Sequence, residues 1–116
     1  MKRRPLSLMG ATRNERHQVI ADVGEAIATA GGWIVDHALF SNVAVTIRLV
    51  LSPKRLGELQ RLIAAAGVRL DDASLAEISQ AMSVAGGEDD EIAASMNVTF
   101  VHDEPDLRRE VPPIPG

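Results

Sequence analysis

Apolar and polar positions alternate along this chain in two periods, and the switches between them mark out the elements. Leu6 to Ala11 is a short run after Pro5, predicted as a first strand. Thr12-Arg13-Asn14-Glu15 carries Thr and Glu at the capping-box spacing, with Asn14 as a competing cap, so a helix is predicted to start there. Val19, Ile20, Val23, Ile27 and Ala30 recur at steps of three and four, one stripe that Gly31-Gly32 ends. Trp33 to Phe40 and Asn42 to Leu51 are rich in branched and aromatic residues and are joined at Ser41-Asn42, which predicts a hairpin. In its second arm Val43, Val45, Ile47, Leu49 and Leu51 alternate with Ala44, Thr46, Arg48 and Val50, so one face meets the core.

Ser52-Pro53 then supplies a capping hydroxyl before a proline, and Leu56, Leu59, Leu62, Ile63 and Ala66 form a second helical stripe up to Gly67. Val68 to Leu70 is short and extended. A second capping spacing, Ser74 to Glu77, opens an inserted helix through about Met82. Gly86 to Glu91 is Gly-rich and acidic, the composition of a solvated loop. From Ser95 to His102, Met96, Val98 and Phe100 alternate with Asn97, Thr99 and Val101, a closing strand. The tail, with Pro105, Pro112, Pro113 and Pro115, fits neither a helix nor a central strand. This succession predicts an α+β fold: a ferredoxin-like βαββαβ antiparallel sheet with two helices on one face and a short inserted helix before the last strand. Residues 1–104 are expected to form a single domain and 105–116 a Pro-rich tail. A sheet with one bare face and two edges predicts a homodimer.

Composition narrows the function more than the fold. The 116 residues suffice for one core, and 46% of them are hydrophobic, yet the aromatics are only Trp33, Phe40 and Phe100. The core is therefore expected to consist of small and branched aliphatics. Twelve basic against sixteen acidic residues give a net charge of -4, which argues against affinity for a polyanion. The 42–51 strand also lacks aromatics for base stacking and has Arg48 as its one basic residue, so no nucleic acid is expected as partner. Zero cysteine excludes thiol chemistry and disulfides. The N-terminus opens like a signal peptide, but its apolar run breaks at Ser7 and Gly10, and no stretch approaches the ~18 apolar residues of a membrane span. A cytoplasmic protein without membrane contact is the expectation.

Gly10 closing the first strand, Val19-Ile20-Ala21-Asp22-Val23 on the first helix, Ala30-Gly31-Gly32-Trp33-Ile34-Val35-Asp36 entering the second strand, and the run from Val43 to Leu51 together resemble an ACT domain. The resemblance covers roughly residues 5–67 plus a closing strand near 95–102, and is to the ACT modules of bacterial glycine-cleavage repressors in particular. It implies a non-catalytic, dimeric regulatory module. It also implies a small molecule, often an amino acid, bound between the first strand–helix loop of one chain and the second strand of its neighbour. Carried onto this sequence, the ligand-binding residues are Arg13, Asn14, Arg16, His17, Gln18, Asp36 and His37. Family members usually carry an acidic residue followed by Pro-Gly in this loop; here the loop from Ala11 to Gln18 is longer, with no Pro and no Gly after Gly10, so close backbone approach of a ligand is harder.

Other chemistry finds little footing. Arg13 and Arg16 flank a helix start where an anion is favoured, so the alternative is a small acylphosphatase-like, anion-handling enzyme using Arg13 or Arg16 with a histidine as acid or base. Asp36 beside His37, and Asp103-Glu104 after His102, invite a metal or acid–base reading, but adjacent strand residues point to opposite faces. No paired-His helical spacing, nucleophile elbow or P-loop occurs, so neither a metal, a cofactor nor covalent catalysis is expected.

Overall fold

A computed structural model describes residues 5–41, 43–84, 86–87 and 90–101. Its elements are β1 (Leu6–Thr12), α1 (Arg16–Thr29), β2 (Trp33–Phe40), β3 (Ala44–Leu51), a 3-10 turn (Pro53–Arg55), α2 (Leu56–Ala65), β4 (Arg69–Leu70), α3 (Asp72–Ser83) and β5 (Ile92–Phe100). The five strands form one mixed sheet in the order β2-β3-β5-β1-β4. The predicted tail and His102 lie outside the described residues.

The core sits on one side of this sheet. Leu6 and Leu8, Val45, Ile47, Leu49 and Leu51, and Ile92, Ala94, Met96, Val98 and Phe100 are all buried. They fall at alternate positions because successive side chains on a strand point to opposite faces. Against them lie Val19, Val23 and Ile27 of α1, Leu56, Leu59 and Ile63 of α2, and Ile78 and Ala81 of α3. Each helix turns one stripe inward, and α1, the safest element in the sequence, buries the expected stripe apart from the half-covered Ile20. Phe100 is the one aromatic in the core, as the composition implied.

Glycine divides its work at the α1–β2 junction. Gly31 adopts φ +86, a left-handed conformation that ends the helix. Gly32 is there for closeness: a Cβ at this position would meet Leu51 Cβ and the Val50 carbonyl oxygen, each at 2.6 Å. The hairpin forms as predicted, with the Val43 N–H donating to the Phe40 carbonyl (3.1 Å) and Ser41 at φ 61 in the turn. β3 is shorter than expected by its first two residues, and Val43 stands exposed.

Several expectations need correction. An antiparallel sheet was predicted, whereas β1 and β5 run parallel, with Leu6 opposite Ala94 and Thr12 opposite Phe100. The closing strand does not extend the sheet at an edge; it lies between β3 and β1, pairing with both. β4, two residues long, takes the outer place beside β1, antiparallel, with Ala11 opposite Arg69. Three helices, not two, cover the sheet, because the inserted helix is a full member of the core layer.

Both capping boxes are also used differently. Glu15 itself caps α1, accepting the His17 and Gln18 N–H groups at 2.9 and 3.1 Å. Asp71 caps α3, accepting the Ser74 N–H at 2.8 Å, so that helix begins two residues before Ser74. Ser74 and Glu77 are thereby released to face β1. The Met9 N–H donates to Ser74 Oγ (2.7 Å), the Ser7 N–H donates to Glu77 Oε1 (3.3 Å), and the Asp71 N–H donates to the Met9 carbonyl (2.9 Å). Beyond the two residues of β4, this edge of β1 is thus closed by α3 and its cap.

Candidate functional site

The loop between β1 and α1 is held from within. Thr12 is buried, and its Oγ1 accepts the Asn14 N–H at 3.1 Å. Asn14 Nδ2 in turn donates to the Ala66 carbonyl (2.9 Å) at the end of α2, over Gly67, whose φ of +90 needs glycine. The His17 amide, with that of Gln18, holds the exposed Glu15 carboxyl below its ordinary pKa. Gln18 is engaged with Asp22, both carboxylate oxygens accepting from its amide (2.9 and 3.0 Å). His17 is exposed, its Nε2 4.0 Å from Glu15. Arg16 is half-buried, and its Nε is shielded from solvent with no hydrogen-bond partner among the described residues.

Ala11, Thr12, Arg13, Asn14, Gly67, Arg69 and Val101 line a cleft of about 330 Å³ beside this loop. The pairing of β4 with β1 brings Arg69 there, so Arg13 of the β1–α1 loop and Arg69 of β4 border one space. Sequence reasoning missed Arg69 because only the strand register places it opposite Ala11. Two guanidinium groups and an amide suit a carboxylate or phosphate. Among the described residues no histidine or carboxylate lines the cleft, and its one hydroxyl, on Thr12, accepts from the Asn14 amide. The described lining offers a place for an anion, and Arg16 is not part of it.

The second half of the predicted site lies elsewhere in the chain. β2 is separated from β1 by β3 and β5, at least about 14 Å at the usual strand spacing. Asp36 faces Arg48 across the hairpin in a two-point pair: Arg48 Nε donates to Asp36 Oδ1 at 2.7 Å and a terminal nitrogen donates to Oδ2. This pair lowers the Asp36 pKa and raises that of Arg48, the hydrogen bond being the main cause in each. His37 is opposite Ile47 and so on the other face, as strand alternation requires. Among the described residues no three histidines or carboxylates converge as metal ligands would. Arg13 and Asn14 thus share the cleft, Arg16, His17 and Gln18 follow on the first turn of α1, and Asp36 and His37 stand apart.

Beyond Trp33, whose place at the strand entrance suggests a core or dimer anchor, the sequence did not single out the surface of β2. Trp33, Val35, Leu39, Phe40 and Val43, five large apolar side chains of β2 and its turn, are each at least 41% exposed. Val35 is the extra residue of a bulge between Ile34 and Asp36. No helix among the described residues is long and apolar enough to cross a membrane. The fold and these surfaces define a small mixed α+β protein, its helices on one side of a five-stranded sheet, with five of the nine exposed large apolar residues among those described at one hairpin. Comparison with family models, with curated proteins and with solved structures finds no match to this chain.

Proposed function

We propose that the chain is a non-catalytic interaction or regulatory module that works as a homodimer. The observation that carries this reading is the apolar surface of β2 and its turn, set against the closed opposite edge: the protein covers β1 with α3 and leaves the hairpin bare. Clusters of exposed aromatic and branched residues mark interaction sites.

The finer fold reading is a ferredoxin-like βαββαβ framework with one further helix and strand. Omitting β5, the strand order reads β2-β3-β1-β4, with β4 in the place of the fourth ferredoxin strand and β5 slipped between β1 and β3. The ACT-like form of the proposal adds a small-molecule effector, such as an amino acid, whose carboxylate would sit in the cleft of Arg13 and Arg69. The β5 insertion holds that cleft away from Asp36 and His37 of the same chain, so the effector would meet those two residues only across a dimer.

Sedimentation equilibrium between about 1 and 100 μM tests the module reading, with a dimer expected. A monomer throughout would refute it. Thermal shift against the common amino acids tests the effector, a rise in Tm being expected for a carboxylate-bearing ligand and abolished by Arg69→Ala.

A further inference from the structure

The bare side of the sheet has a composition unlike the rest of the surface. Strand register places Trp33, Asp36, Ala38 and Phe40 of β2 on it, beside Val50, Arg48, Thr46 and Ala44 of β3. Two of the chain's three aromatic residues are therefore on this face and outside the core, in a protein whose interior is otherwise almost wholly aliphatic. Between them sits the Asp36–Arg48 pair, which leaves the patch neutral in a chain of net charge -4. Of the remaining positions Ala38, Thr46 and Ala44 are small and Val50 lies beside Trp33, and further in, Asn97 Nδ2 donates to Thr46 Oγ1 at 3.2 Å.

From these features we infer that the occupant of this face is a second copy of the chain, seated face to face across a two-fold axis near the Asp36–Arg48 pair. This rests on the homodimer proposed above and names its surface. An isologous contact requires a patch that complements itself. Here the axis sets Arg48 of each copy against Asp36 of the other, so one neutral pair becomes a four-membered network without unpaired charge. Trp33 and Phe40 flank that centre at the two ends of β2 and, with Arg48 at the centre, supply side chains of the aromatic and Arg types that dominate binding energy. An axis running along the strands between β2 and β3 overlays these two strands on their counterparts, on the order of 250 Å² in projection at ~4.8 Å spacing and ~25 Å length, before side-chain relief, a small contact beside the ~800 Å² of accessible surface per partner in a standard interface. The competing mode, pairing of β2 edge to edge, is disfavoured by the Val35 bulge, which interrupts the edge after two residues.

The test exploits the charge pair. Arg48→Asp alone sets like charges across the axis, as does Asp36→Arg alone, and each is expected to weaken self-association by at least about tenfold while leaving the circular dichroism of the fold unchanged. Mixing the R48D and D36R chains is expected to restore a mixed dimer, read by native mass spectrometry. Trp33, the sole tryptophan, supplies a reading on the unaltered protein: its emission should shift to the red and its acrylamide quenching increase on dilution through the dimer midpoint. A dimer that survives R48D, or whose Trp33 is quenched equally before and after dissociation, overturns the face-to-face mode. If such a dimer is instead abolished by Leu39→Lys, the contact is at the β2 edge and the module reading stands. A wild-type monomer at every concentration defeats both.

Discussion

Replacing Ser74 by alanine removes one oxygen from a side chain that is 1% exposed, and the consequence falls on a different element. Ser74 Oγ accepts the Met9 N–H at 2.7 Å, with the Met9 carbonyl 3.5 Å away. Alanine is the better helix former, so α3 itself gains by a few tenths of a kcal/mol. What is lost is the acceptor for an amide that lies against α3 and cannot readily turn to water. Leaving such a donor unpaired costs about 1–3 kcal/mol. Net destabilisation of about 1–2 kcal/mol is therefore expected, at roughly 4–8 °C of Tm per kcal/mol in a domain near 100 residues. Urea unfolding followed by circular dichroism at a single protein concentration measures it, which holds constant any contribution from the proposed dimer. Ser83→Ala is the control: that hydroxyl donates only to the Gln80 carbonyl on the exposed side of α3, and its loss should stay within about 0.5 kcal/mol. The Met9 amide should also lose protection from hydrogen exchange in S74A. If S74A and S83A unfold alike, water satisfies the Met9 amide and α3 does not close the β1 edge.

Gly32→Ala should be worse than a usual overpacking change of about 1–3 kcal/mol, because the new Cβ meets the Val50 carbonyl as well as Leu51, and backbone cannot rotate aside; a variant melting within 2 °C of wild type contradicts this. Gly67→Ala is expected to cost about 1–3 kcal/mol from its positive φ, and to displace Asn14 from the Ala66 carbonyl, seen as a shift of the Asn14 side-chain amide resonances. On acidification, Glu15, Asp36 and Asp71 act in the same direction. Each has a folded pKa below its ordinary value, from the His17 amide, the Arg48 side chain and the Ser74 side chain first, respectively, so the unfolded chain takes up protons first. The stability they contribute is present above the ordinary carboxylate pKa values and is lost as pH falls through the folded ones, so Tm should be flat near neutrality and fall below about pH 4. Asp71→Asn should flatten that acid limb, whereas a Tm that rises on acidification would contradict the assignment.

Local pattern was legible wherever one face of an element alone decided it. The stripe from Val19 to Ala30 and the alternation from Val45 to Leu51 both appear in the structure because burial on one side leaves a period in the sequence. Register and strand order leave no such period. Nothing in Val68-Arg69-Leu70 says that two residues pair with Gly10 and Ala11, yet that pairing brings Arg69 to the Arg13 cleft. β5 begins three residues earlier than expected, because Ala93 and Ala94 are weak strand formers and follow an acidic stretch, so Ile92 lacked a visible partner in the alternation. The Ser74–Glu77 spacing was read as a cap because the same residue types that cap helices also satisfy strand edges. Asp71, three residues before Ser74, was the better cap, and choosing it would have freed Ser74 for another duty. Of the predicted site, Arg13 and Asn14 fell together because they are neighbours in sequence, and Asp36 and His37 did not join them because two strands intervene.

The position of β5 links the fold to the proposed function. A closing strand at the edge would have left β1 beside β3 and a sheet of four strands, with the β1–α1 loop one strand nearer to β2. Inserted at the centre, β5 pairs along its length with both neighbours and carries Ile92, Ala94, Met96, Val98 and Phe100 into the core. Its other side contributes Ser95, Asn97 and Thr99 to the bare face, residues too small and polar to demand cover but low enough to let another surface approach. The two aromatic groups of that face, Trp33 and Phe40, stand on β2 at the rim, while Met9 of β1 is its exposed apolar residue further in. The same insertion that moves the Arg13 cleft away from Asp36 thus also widens the platform on which two chains can meet. Within this architecture Asp36 and the Arg13 cleft of one chain stand too far apart to hold one small ligand between them.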